Sequence, residues 1–151
     1  MTAPHLRDRY LQDSINTASP GKLLLMLYDR LVLDLMQGEE ALRAVDQFQK
    51  EHEWVSDPER RAEKQQQRVA VRTTANERLT HAQEIVLELR TSLDVDAWSG
   101  APALANLYGW MLTELIGANI ARDADRVVAC RTLVEPLRDA WREAAAAAVA
   151  G

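Results

Sequence analysis

The chain has 151 residues, a net charge of −5, only 6 glycines and 5 prolines, and 15 isoleucines plus valines against 20 leucines and 23 alanines. That length fits one domain, and the scarcity of β-branched, aromatic and turn residues excludes a β-sandwich, a collagen-like chain and a disordered one. Acids and bases are intermixed without a concentrated basic face, which argues against a nucleic-acid partner.

In chain order, residues 1–18 are weakly patterned and form a short N-terminal segment. The bundle domain is expected over 19–151. Ser19-Pro20 reads as a helix start, because Ser caps a free N–H and Pro at the first helical position loses a donor that had no partner. The first helix runs from Pro20 past Leu35 and continues through Ala41, Leu42 and Val45 despite Gly38. Residues 46–72 are charge-dense and read as a long connection or a protruding helical extension, with Pro58-Glu59 able to open a helix after the Ser56-Asp57 turn. Ala75, Leu79, Ala82, Val86, Leu89 and Leu93 recur at spacings of four and three and mark a second helix. A loop is expected over 94–102. A third helix carries Leu104, Leu107, Tyr108, Met111, Leu115 and Ala118, and a fourth carries Val127, Cys130, Val134, Leu137 and Trp141, with Asp123 as its cap and Pro136 inside it. Four long helices with mostly short joints predict an all-α, antiparallel up-down four-helix bundle.

Two helices carry more apolar surface than a bundle needs. Of the 14 residues from Leu23 to Met36, 11 are apolar. At about 100° per residue, Leu24, Tyr28, Leu31 and Leu35 form the inner face, and Asp29, Arg30 and Asp34 fix the wet side. Met26 and Leu33 project into that wet sector, and Leu23 lies at its edge. On the third helix, Asn106, Gly109, Trp110, Thr113, Gly117 and Ile120 lie opposite the core stripe. Small residues on one stripe admit another backbone closely, and a neighbouring Trp supplies contact area. Either these residues meet solvent and the 46–72 extension, or the two faces form a groove for an added helix held by apolar anchors.

Chemistry-bearing patterns are sparse. His81 shares a helix side with Glu77, Glu84 and Glu88, but the complementary ligands of a di-metal bundle are missing, so this stripe reads as a solvated face. There is no nucleophile motif, phosphate loop or Cys-x-x-Cys. Cys130, on the core stripe, reads as a buried thiol of a reducing compartment. No enzyme activity, cofactor or metal is expected. No stretch approaches the roughly 20 apolar residues of a membrane span. A cytoplasmic protein without membrane insertion is the expectation.

The ordered residues resemble the flagellar secretion chaperone family (FliS). They are Tyr10, then Asn16-Thr17-Ala18-Ser19-Pro20 leading into Leu23 and Met26-Leu27-Tyr28-Asp29, then Ala82-Gln83-Glu84-Ile85-Val86 with Leu89 and Ser92-Leu93-Asp94. Asn106-Leu107-Tyr108, Ala118-Asn119, Leu137-Arg138 and Ala140-Trp141 complete the set. The likeness covers most of residues 10–142. The charged 46–72 stretch is longer than the family's connection, and Gly109 and Gly117 stand where larger polar residues are expected. The resemblance implies an export chaperone that binds the disordered C-terminal segment of flagellin, blocks premature polymerisation and supports delivery to the type III export gate. A further flagellar regulator is left open as a partner. On the same ground, Met26, Leu33, Leu23 and the Asn106–Ile120 face are the expected flagellin contacts, and Leu6, Tyr10 and Ile15 an N-terminal plug over the groove. The alternative is a structural or adaptor bundle that homodimerises through its extra apolar faces.

Overall fold

The computed structural model describes residues 20–150. Residues 1–19, and with them Ser19 and the expected plug Leu6, Tyr10 and Ile15, lie outside the described residues. Four helices follow in order: α1 (Pro20–Trp54), α2 (Pro58–Ser92), α3 (Ala101–Ala121) and α4 (Ala124–Ala150). The joints 55–57, 93–100 and 122–123 are too short to cross the molecule, so each helix turns back along its predecessor. Cross-helix pairs confirm the antiparallel order: Glu51 with Lys64, Asn76 with Asn119, Glu114 with Arg126 and Asp29 with Arg142. α1 packs on α2 and α4, α3 packs on the same two, and the backbones of the diagonal pairs do not approach.

Each joint is fixed by local chemistry. Asp57 accepts from the Glu59 N–H at 3.3 Å and Pro58 opens α2, as the turn signal predicts. Asp94 caps its own turn by accepting from the Asp96 N–H at 3.0 Å. The loop then ends at Gly100 and α3 begins one residue before Pro102, because a proline is tolerated in a first helical turn. Trp98 lies over Gly100, where a Cβ would meet its ring at 1.9 Å. At the third joint, Asp123 caps α4 by accepting from the Asp125 N–H at 3.0 Å.

The expected stripes meet in one core. Leu31, Leu35 and Leu42 of α1 pack with Leu79, Val86 and Leu89 of α2, Met111 and Leu115 of α3, and Val127, Cys130 and Val134 of α4. Across the centre, the buried hydroxyls of Tyr28 and Tyr108 share a hydrogen bond of 2.5 Å. Gly38 is a contact glycine: a Cβ there would lie 2.7 Å from Leu79 Cδ2, so its absence lets α1 and α2 approach. Residues 46–72 are not a loop but the outer part of the α1–α2 hairpin, held by Lys64 Nζ to Glu51 at 2.7 Å and over the Phe48 ring.

One polar assignment changes. The sequence reading puts Asp34 on the wet side with Asp29 and Arg30, and the structure buries it completely. It receives Arg30 of its own helix at 3.4 Å, Arg78 of α2 at 3.5 Å, and His81 Nδ1. Its place on the α1–α2 seam, about 100° from the centre of the core stripe, is covered once α2 docks. His81 is therefore a seam residue paired with Asp34, not part of an unattached solvated stripe.

Candidate functional site

The apolar side chains left outside the core fall on separate faces. On α1, Met26 is 48% exposed and Leu33 is 40% exposed, seven residues apart on one stripe, with Leu23 half-buried beside them. Met36, which the sequence reading did not single out, is exposed one turn further on the α4 side. Neither Met26 nor Leu33 is buried by the 46–72 extension, which leaves the bundle at its far end.

On α3, Trp110 is 40% exposed and Ile120 is 79% exposed, and Asn106 and Thr113 face solvent. This face divides between two neighbours. A Cβ at Gly109 would meet the Arg90 guanidinium of α2 at 3.7 Å, so that flank looks toward α2. A Cβ at Gly117 would meet Arg126 Nη1 of α4 at 2.1 Å. Gly117 is thus covered by the chain's own arginine, which donates to both carboxylate oxygens of Glu114 at 3.0 and 3.3 Å. The Arg126 guanidinium holds the Glu114 carboxyl below the usual carboxylate range. By helical phase, Gly109 and Ile120 lie on the α2 flank, and Trp110 and Gly117 on the α4 flank.

The expected residues therefore do not meet in one groove. α1 and α3 are diagonal partners in the ring, so the Met26/Leu33 face and the Trp110/Ile120 face look in opposite directions. Other exposed apolar side chains extend the α3 face on both flanks: Ile116 and Leu87 on the α2–α3 side, and Leu133 of α4 toward α3. Ile116 lies about 120° from the centre of the α3 core stripe, as far round as Trp110 but on the α2 side, and periodicity places it on this same outer face. Leu87 escaped notice because α2 is otherwise regularly amphipathic.

Among the described residues no group of three or more His, Cys, Asp or Glu side chains could hold a metal ion. Burial pushes the Cys130 thiol up to about 12, the reverse of what a nucleophile needs. No helix is long and apolar enough to cross a membrane, among the same residues.

The family model described as flagellar protein FliS matches residues 2–148. The flagellar secretion chaperone FliS of Bacillus subtilis (strain 168) is 29% identical over 135 residues, which cover 89% of this chain and 82% of that protein. With a match that runs almost from end to end, the chain belongs to the FliS family of flagellar proteins.

Proposed function

We propose that the protein is a cytoplasmic export chaperone that binds the C-terminal segment of flagellin, keeps it from polymerising prematurely and supports its delivery to the flagellar type III export apparatus. The observation that carries this reading is the pairing of a filled core with large apolar side chains left outside it on α1 and α3. The name of the Bacillus relative, a flagellar secretion chaperone, supports the same reading.

A segment that cannot bury its own apolar face stays disordered until a partner offers one. Ordering such a segment typically consumes about 2–5 kcal/mol of the gross interaction energy. One anchor cannot offset that and leave useful affinity. Two faces, each with several anchors, can. In this reading the client crosses from the Met26/Leu33 face to the Asn106, Trp110, Thr113 and Ile120 face, and the complex is non-covalent and reversible. Leu6, Tyr10 and Ile15 compete for the same surface before the client arrives. No cofactor and no catalysis are involved.

The test is sedimentation and titration of the full chain with a purified flagellin C-terminal segment. A one-to-one complex is expected, weakened about tenfold by Met26→Asp or Leu33→Asp through loss of an apolar anchor. Removing residues 1–18 is expected to speed association. Absence of a complex, or a homodimer of the chain alone that buries these faces, overturns the reading in favour of a structural bundle.

A further inference from the structure

The α1–α2 hairpin runs past the end of α3, and the step it leaves is a cleft of about 540 Å³. Leu42 of α1, Val69 and Arg72 of α2, and Ile120 and Arg122 at the end of α3 line it. Leu42 is buried, while Val69 and Ile120 keep much of their apolar surface in solvent. Asn119 Nδ2 donates to Asn76 Oδ1 at 2.8 Å within this cleft and ties α3 to α2.

The charge on this cleft is unbalanced. Arg72 and Arg122 are both exposed, and no carboxylate among the described residues lies within ion-pair distance of either, although on its other side Arg122 borders a second pocket that Asp46, Asp123 and Asp125 also line. One turn back on the same face of α2, Arg68 has its Nε buried without a hydrogen-bond partner. By contrast, Arg126, Arg131, Arg138 and Arg142 of α4 all reach carboxylates. The cleft thus presents two guanidiniums and no carboxylate among its lining residues, in a chain whose acids outnumber its bases by 23 to 18.

Arg122 adds a backbone observation. Its φ of 55° and ψ of 47° place it in the left-handed region, the only non-glycine there among the described residues. Glycine ends a helix in that conformation without strain, whereas an arginine does not. The strained position delivers a guanidinium to the cleft.

We propose that this cleft docks an acidic amphipathic helix of a partner protein other than the flagellin client. Its apolar stripe covers Val69 and Ile120, and its flanking carboxylates meet Arg72 and Arg122. The groove between the hairpin and the end of α3 offers apolar anchors with a charged rim, the pattern that helix-in-groove recognition uses. RNA is the lesser fit, because no aromatic side chain lines the cleft to stack a base. The cleft shares Ile120 with the client reading and otherwise rests on Val69, Arg72 and Arg122, which that reading does not use.

The test is fluorescence anisotropy of the full chain with a labelled synthetic helix bearing leucines on one face and glutamates on both flanks. Saturable binding that weakens with added salt is expected. Replacing the glutamates by glutamines, or the protein's arginines by Arg72→Glu or Arg122→Gly, is expected to weaken it by about fivefold or more in each case. Arg122→Gly removes the charge while relaxing the backbone, so a loss there is not unfolding, and thermal melting verifies this. No binding, equal affinity for the glutamine peptide, or unaltered affinity of both variants overturns the proposal. So does weakened binding of the flagellin C-terminal segment by Arg72→Glu, which assigns the cleft to the client, or tighter binding of oligouridylate. Failure of flagellin to bind at all overturns the chaperone reading and leaves this result standing.

Discussion

Tyr28, Tyr108 and Cys130 sit in the core in their neutral forms, and that placement fixes how the fold responds to alkali. Burial pushes the Cys130 thiol from 9.0 up to about 12 and raises both tyrosines above 10.0. Below about pH 8 neither the folded nor the unfolded chain ionises them appreciably, and they contribute almost no pH dependence. As pH rises through 9.0 and 10.0, the unfolded chain releases these protons while the folded chain keeps them. The unfolded state then binds fewer protons, so unfolding free energy falls with rising pH. Urea midpoints are expected to be flat over neutral pH and to drop above about pH 8, with a shallower drop in Cys130→Ala. A midpoint that rises above that pH contradicts the burial of these groups. Residue periodicity located all three on core stripes. It misplaced Asp34, because a side chain at the edge of a stripe is wet on an isolated helix and dry on a seam. Only the partner helix, bringing Arg78 and His81, decides between the two.

At the scale of elements, helix starts were legible and helix ends less so. Asp57, Pro58 and Asp123 announce where α2 and α4 begin, since caps are short-range chemistry. The continuity of α1 to Trp54 was not legible in the same way. Its outer half is polar and charged, and it is helical because α2 runs beside it, with Lys64 meeting Glu51 and Phe48. The end of α3 carries no glycine signal, because Arg122 occupies the position that glycine usually marks, and only the Asp123 cap of α4 places the connection near Arg122-Asp123. That mismatch has a measurable consequence. Left-handed backbone costs an L-residue roughly 1–2 kcal/mol, and glycine is nearly free of it but loses more entropy on folding. Arg122→Gly is therefore expected to raise unfolding free energy by about 1 kcal/mol in urea titrations. A loss of stability of that size would mean that Arg122 makes an intramolecular contact worth more than its strain.

For the whole molecule, the decisive feature is that α1 and α3 are diagonal in the ring. With neighbouring axes about 10 Å apart, diagonal axes lie roughly 14 Å apart, and their outward faces are further still. The sequence showed surplus apolar residues on both helices but not that they face away from each other, because ring order is set by joint lengths and packing together. Two distant faces engaged by one client make a prediction that a single groove does not. Substitutions too far apart to share a partner combine additively, within about 0.5 kcal/mol. Leu33→Asp and Trp110→Ala are each expected to weaken the flagellin segment by about 1–2 kcal/mol, and the double variant by their sum. The client can also be divided. A fragment seated on α1 alone is expected to feel Leu33→Asp and ignore Trp110→Ala, and the complementary fragment to do the reverse. Each fragment then binds far more weakly than the intact segment, because joining two weak contacts makes the second intramolecular. If one fragment retains the full affinity and responds to both variants, the client occupies a single site, and the two-faced account of this bundle is wrong.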